Sequence, residues 1–531
     1  MTAVLQEMPA ARSESDAEAD RAGWLDRLSD YFNPILVKEA RQAVKSRTFV
    51  WPFCLTLIAA LGWSYFSAGH IISQMQSMDP LVVFIGFYVI LAATTLILVP
   101  YSAYQAVGSE RQEATLELVW ITSLTGRQIV IGKFLGCLLQ LLAYVSALAP
   151  CLAFTYMLQG IDIVAISLVL VYLCVASLVL TSFAILLATA FRNTYASMTV
   201  SAVLLVGLVI LFFAITSFVA DLIWDYGFRG GENIQWIHWL VLTTAGSFIV
   251  LFLLAAGAQL SFAGDNQSTP LRIVMLAQQA LFVFWIVYGV RRAGDDGFVW
   301  GTFPVLGLYW GLMGAFMVGE LALLSPRARR TLPRSALGRI LFTWLQPGSG
   351  TGYVFSLVNL AGVMLFLSFV CHAQDRPRLH ESLVVAIATW VCVAAYLGTG
   401  RLLVLLINRI YPTGAIIGFA IVAILAATGV IVPAIATELA DYYPGESPWM
   451  SVNWAWVMSE ILQNTRTVGQ TLMSDLRLVY PLANIALLTL PLNLAFTVTE
   501  LAAGRLPQPV VVPWEVRRAL VQKKRPEAAS G

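Results

Sequence analysis

The chain is short of charge. Only 12% of its 531 residues are Asp, Glu, Lys or Arg, about half the share of an average soluble domain, while 59% are apolar. A water-soluble domain cannot cover that much apolar surface with so few ions. The basic residues gather at the ends of apolar runs rather than along one face, which argues against a phosphate-following surface and therefore against nucleic acid as a partner.

Other chemistry is thin as well. The six cysteines, Cys54, Cys137, Cys151, Cys174, Cys371 and Cys392, lie in or beside apolar stretches with no CxxC pair and no metal-ligand spacing. They read as small apolar residues rather than as disulfides or ligands. His70, His238, His372 and His380 sit near the expected outer ends of spans, none with a second ligand one helical turn away, so no metal site is expected. No set of Ser, His and Asp and no paired carboxylate cluster marks one loop as catalytic. The first thirty residues lack an apolar core of the kind a cleavable signal peptide needs, so the first span is expected to direct insertion itself. Gly126 and Gly132-Lys133 superficially resemble a phosphate-binding loop. However, five residues separate the glycines instead of four, Phe134 stands where a magnesium-binding hydroxyl is required, and no strand precedes the segment. No cofactor is expected on this chain, and if ATP powers it, another chain binds the ATP and Mg²⁺.

What the chain has is long apolar runs. Runs of roughly 18 to 28 residues can cross ~30 Å of hydrocarbon as helices. The early candidates are Val50 to Gly69, Leu81 to Val107, Gly132 to Leu158, Ile163 to Phe191, Ala196 to Ile223 and Ile237 to Phe262. The later ones are Ile273 to Val290, Phe298 to Leu324, Gly352 to Cys371, Ser382 to Leu406, Thr413 to Thr437 and Leu478 to Ala503. The pattern predicts an all-α polytopic membrane protein of about twelve transmembrane helices. Both ends fall on the cytoplasmic side by the positive-inside rule. Lys38, Arg41, Lys45 and Arg47, then Arg111, Arg127 and Lys133, then Arg192, the arginines from Arg327 to Arg339, and the basic tail from Arg517 to Arg525 all fall on that side. Arg291 and Arg292, beside Asp295 and Asp296, are the exception.

Two of the connecting segments carry more information. Residues 33–47 open with Asn33 as an N-cap and Pro34 at the first helical position, predicting a helix with Lys38, Arg41, Gln42 and Lys45 on one face. Leu36, Val37, Ala40, Ala43 and Val44 form the other face. Such a helix lies flat on the membrane surface, or else is an ordinary basic flank that orients the first span. The loop after the second span places Glu110, Glu113 and Glu117 at helical spacing, opposite Leu116, Val119 and Trp120. That acidic stripe is either a solvated face or a docking surface for a basic soluble partner. Thr125 and Gln128 then form a T-x-x-Q capping box that starts the helix running through Gly132-Lys133 into the third span.

These segments resemble the permease subunit of a type-2 ABC exporter. That family opens with an N-P-x-x-x-K-E-x-R surface helix, matched here by Asn33, Pro34, Lys38, Glu39 and Arg41, with Lys45 on the same basic face. Its second and third spans are joined by an E-R-x-x-G-T-L-E-x-L-x-x-T-P-L-S stretch and a G-K lead-in. Glu110, Arg111, Thr115, Leu116, Glu117, Leu118, Thr122, Leu124, Gly132 and Lys133 supply the match, and Glu113 lies within it. Ala114 replaces the glycine, Ser123 the proline, and Thr125-Gly126 occupy the turn. The resemblance implies that this loop is a coupling helix seated in a groove of a separate ATPase subunit. It also implies export across a cell membrane and, because only one coupling loop is present, pairing with a second permease, most simply a second copy.

The resemblance covers about half of the chain. The organisation expected is a tail at 1–32, a permease module at 33–262, two further spans in 263–324, a linker at 325–350 with an amphipathic stretch at Ser335 to Leu345, four spans in 351–503, and a basic tail at 504–531. The external loop 438–477 carries Tyr442, Tyr443, Trp449, Trp454 and Trp456, which mark interfacial helices or a lid. Glu320 and Glu500 lie near inner ends of spans. Arg401 interrupts the tenth candidate and is placed either to snorkel to the surface or to line a path. Gln105, Gln140, Gln259, Asn359, Asn484 and Asn493 are expected to hydrogen-bond between helices or to line a substrate route. Two other functional classes fit the same pattern: an ion-coupled secondary transporter, and a scaffold or enzyme that uses the long external loop.

Overall fold

The computed structural model describes residues 46–74, 80–112, 125–157, 163–191, 194–226, 235–261, 266–292, 296–320, 343–373, 379–410, 414–443, 447–467 and 477–505. Among the described residues every regular element is helical, and twelve helices are long and apolar enough to cross a bilayer. A chain this apolar has little choice, because hydrocarbon offers no partner for backbone N–H and C=O groups and a helix pairs all of them within one segment. The chain is an all-α, multi-pass membrane protein.

The first compact unit comprises residues 1–262 with 274–281. Its helices are α1 (Arg47–Gln74), α2 (Pro80–Ala93), a π-helical turn (Thr94–Leu98), α3 (Val99–Gln112), α4 (Gly126–Met157), α5 (Ile163–Ala190), α6 (Thr194–Tyr226) and α7 (Gln235–Gln259). α2, the π turn and α3 form one continuous span. The centre of this unit is α5, which packs on α3, α4 and α7. Its buried residues Ile166, Val169, Leu173, Ser177, Thr181, Ala184, Ile185 and Ala188 recur at intervals of three and four, so one stripe faces protein. Leu91, Leu96, Leu148 and Leu152 complete a fully buried core.

The second unit comprises residues 263–273 with 282–531. Helix α8 (Ser268–Arg292) contributes to both units. α9 (Asp296–Val318), α10 (Ser349–Ala373), α11 (Leu379–Ile407), α12 (Ala415–Leu439), α13 (Trp454–Thr467) and α14 (Tyr480–Arg505) belong to the second. Here α11 is the hub, touching α9, α10, α12, α13 and α14. Glycine makes that density possible: a Cβ on Gly307 would stand 2.3 Å from Thr389, one on Gly398 2.5 Å from Thr489, and one on Gly400 2.6 Å from Val422.

Within loop 438–477 the described residues form a turn and a packed helix. A short 3₁₀ turn (Met450–Val452) leads to Asn453, whose Oδ1 accepts the backbone N–H groups of Ala455 at 3.1 Å and Trp456 at 3.2 Å and so caps α13. Val457, Met458 and Ile461 on one face of α13 are buried, and Trp454 donates its indole N–H to the Ala426 carbonyl at 3.1 Å. Of the 325–350 linker, the described residues begin at Thr343, so the expected surface helix at Ser335 to Leu345 lies almost wholly outside them.

Candidate functional site

The residues expected to engage an ATPase fall mostly outside the described residues. This applies to Glu113, Thr115, Leu116, Glu117 and Thr122, and to Asn33, Pro34, Lys38, Glu39, Arg41 and Lys45 of the expected surface helix. Glu110 and Arg111 lie in the last turn of α3. What the structure does describe is the frame around that loop. α3 leads into it as the continuation of the second span, and the chain returns at Thr125.

The return is built as a capping box. The Thr125 backbone N–H donates to Gln128 Oε1 at 2.9 Å, and the Gln128 backbone N–H donates to Thr125 Oγ1 at 3.4 Å. Two otherwise orphaned N–H groups of the first turn are thereby satisfied, and α4 starts at Gly126 as the capping box requires, six residues ahead of the apolar run. Gly126 is held against α7, where a Cβ would stand 2.9 Å from the Gly257 carbonyl oxygen, and Ile129 and Val130 are buried directly after it. The start of α4 is thus fixed to the rest of its unit from its first residue.

Higher in the same span pair lies the π turn. Thr94 and Thr95 donate their hydroxyls back to the Leu91 carbonyl at 2.8 and 2.9 Å, and Ser177 of α5 donates to the Thr95 carbonyl at 2.6 Å. The π turn pairs the Val99 N–H with the Thr94 carbonyl, and Pro100, which stands in the matching position for the Thr95 carbonyl, has no N–H to give. Ser177, itself fully buried, supplies the missing donor. Neighbouring polar contacts also cross between helices: Tyr104 donates to the Ser197 carbonyl at 2.8 Å, and Ser102 to Gln140 Oε1 at 3.4 Å. Gln105 instead donates to Tyr101 on its own helix at 2.8 Å, and Asn359 to the Phe355 carbonyl on its own helix at 2.7 Å.

The second unit contains a cluster that the sequence alone did not bring together. Gly348-Ser349-Gly350-Thr351-Gly352 leads into α10, with Gly348 at φ 150°, a conformation that only glycine adopts without strain. Two buried arginines flank this segment. Arg401 donates to Glu500 Oε1 at 3.1 Å, to the Asn493 carbonyl at 2.7 Å and to Thr497 Oγ1 at 2.8 Å. Arg272 donates to Glu320 Oε2 at 2.7 Å and to the Trp344 carbonyl at 2.6 Å. The carboxylates also cap α10: the Gly350 N–H donates to Glu500 Oε2 at 3.0 Å and the Ser349 hydroxyl to Glu500 Oε1 at 3.0 Å. A negative group at the positive end of a helix is stabilising, so Glu500 is held by both the arginine and the helix.

No family model, curated protein or solved structure matches this chain.

Arg401 therefore does not snorkel. It is 0% exposed and held between α10 and α14, and its charge is met by a carboxylate 99 residues further along the chain. Asn493 bridges helices as expected, donating to the Gly398 carbonyl at 3.0 Å. Arg272 stands one residue before the apolar run expected as the seventh span and carries no local signal beyond a charge at a helix end. Chemically the cluster holds α8 and the ends of α9 and α14 to α10 and α11, and its hydroxyls are engaged by the arginines, Glu500 and nearby carbonyls rather than by a general base. Among the described residues no three His, Cys, Asp or Glu side chains converge anywhere.

Proposed function

We propose that this chain is the membrane-spanning permease subunit of an ATP-driven exporter of the type-2 ABC kind. In this reading a separate ATPase subunit binds ATP and Mg²⁺, and a second permease, most simply another copy, completes the transporter in a cell membrane. The observation that carries the reading is the resemblance of residues 33–47 and 109–133 to that family's surface helix and coupling loop. It is supported by the position of the second segment between two long spans. Closure of the ATPase pushes the Glu110 to Trp120 segment, and α3 and α4 carry the displacement into the membrane as rigid rods, α4 from its capped first residue.

The test is co-purification. Extracted gently, the protein should retain a cytoplasmic ATPase, and reversing the acidic stripe with Glu113→Lys and Glu117→Lys should release it while the permease stays folded. A preparation that never carries an ATPase, or one whose ATPase is indifferent to both reversals, would sink the reading. A second reading, ion-coupled transport, draws on the four ionisable groups set near or within spans at Arg272, Glu320, Arg401 and Glu500. It requires transport that survives ATP depletion and stops when the ion gradient is collapsed.

A further inference from the structure

In the second unit, α9 and α12 come together at one end. A Cβ on Gly418 would stand 2.4 Å from the Cα of Gly319, and beside this contact the rings of Phe316 and Phe419 stack at 4.1 Å with an interplanar angle of 12°. Beyond the stacked rings the two helices leave a groove of about 160 Å³ between them, with α11 as its floor and Trp454 and Met458 of α13 over its far part. On α9 the groove runs from Pro304 to Ala315. That is three helical turns, about 16 Å at 1.5 Å per residue. Gly311 leaves its wall open: an added Cβ there would meet only Val393, at 3.9 Å.

The polar groups along the groove are already committed elsewhere. Thr389 donates to the Val385 carbonyl at 2.8 Å, Tyr396 to the Val452 carbonyl at 2.8 Å, and Trp454 to the Ala426 carbonyl at 3.1 Å. A buried water needs about two to four polar partners, and these walls offer it almost none. An empty groove forfeits dispersion contacts on every side. The walls on α9, α11 and α12 belong to helices long and apolar enough to cross a bilayer, which sets them at the depth of the hydrocarbon tails. A helix, about 10 Å across, is too thick to enter. A single alkyl chain has the width, the length and the chemistry.

We propose that this groove is an acyl-chain site: it holds one hydrocarbon tail of a bilayer lipid, laid along α9 against α11 and α12 with Trp454 and Met458 above it. The site lies wholly in the second unit and stands independently of the transport reading.

The test uses the full-length protein in phosphatidylcholine nanodiscs containing a small fraction of a phospholipid with a diazirine midway along one tail. After irradiation and peptide mapping, adducts at groove residues such as Cys392, Ala423 and Met458 should exceed those at Ile424 and Ile431, exposed residues of α12 that do not line the groove. Gly311→Phe should lower the groove adducts roughly tenfold, because a phenyl ring takes the volume the tail needs, and should leave the Ile424 and Ile431 adducts unchanged. Ala423→Phe, at an exposed position on the groove wall, tests the same blockage if Gly311→Phe does not fold. Groove labelling no greater than at Ile424 and Ile431 in the unaltered protein overturns the proposal. So does labelling that persists in a folded, blocked variant, or adducts that join two protein chains through the groove.

Discussion

Arg401, fully buried in α11, donates from Nη2 to Oε1 of Glu500 in α14 at 3.1 Å, and Glu500 keeps 26% of its side chain exposed. The pair is unequal, and the inequality has consequences. Removing the carboxylate strands a fully buried cation, whereas removing the cation leaves a carboxylate that still caps α10 and is still partly exposed.

Glu500→Gln should therefore destabilise the protein more than Arg401→Met does. Stranding a buried charge costs about 3–5 kcal/mol in comparable cases. The double variant should recover part of that loss, since both ions are then gone. Thermal unfolding of the detergent-solubilised protein for the two single variants and the double completes the cycle. Equal losses for the two single variants would mean that Arg401 reaches solvent.

This pair also marks the limit of what the sequence discloses. The span count was legible, because apolar runs of membrane length have one structural outcome, and the capping box at Thr125 and Gln128 was legible, because its partners are three residues apart. Arg401 was not, because a local window shows a charge near Arg409 and an inner end but not the carboxylate that arrives 99 residues later. Arg272 is hidden for a similar reason: the apolar run begins at Ile273, whereas α8 begins at Ser268 and takes the arginine inside. The π turn has one sequence mark, Pro100 just after it, which removes a backbone donor inside the span; Thr94 and Thr95 themselves serve an α-helix equally well. The aromatics around Trp454 point to interfacial helices or a lid but not to what this segment packs on, because buried Val457 and Ile461 follow the ordinary spacing of any amphipathic helix.

Glycine substitutions separate packing from helix propensity. In Gly418→Ala the new Cβ would lie 2.4 Å from the Gly319 backbone, which cannot rotate away, whereas at Gly362 nothing lies within 4 Å. Gly418→Ala should lower stability by about 1–3 kcal/mol through overpacking. Gly362→Ala should be neutral or stabilising by up to about 1 kcal/mol, as expected of an unobstructed helical glycine. Melting curves of the two variants side by side decide this; a destabilised Gly362→Ala would place an unseen neighbour on that face.

At the start of α4, Thr125→Val keeps the shape of the side chain and deletes the oxygen that accepts the Gln128 N–H. A loss of about 0.5–2 kcal/mol is expected, with Thr125→Ser close to the original. If the transport reading is correct, the same change should also weaken the response of transport to ATP hydrolysis by the partner, because the frayed turn no longer passes displacement from the loop into α4. Stability that is unchanged in Thr125→Val would show that the capping box is dispensable there.

The π turn makes the most local prediction. Ser177 reaches across from α5 to the Thr95 carbonyl at 2.6 Å, and both residues are 0% exposed. Ser177→Ala removes the side-chain donor to that carbonyl, whose partner five residues on in a π turn is Pro100 and has no N–H, so the group is left buried and short of a donor, a change that costs about 1–3 kcal/mol. Thr181, one turn along the same helix, offers the control, because its hydroxyl donates to the Ser177 carbonyl of its own helix at 2.7 Å. Thr181→Ala should cost less, since that carbonyl lies within α5, where the helical backbone supplies a donor. Hydrogen exchange resolves the two cases. Ser177→Ala should speed exchange of the amides through Thr94–Leu98 and into α3, and Thr181→Ala should leave them as they were. If the two variants exchange alike, the π turn is held by its own threonines and not by α5.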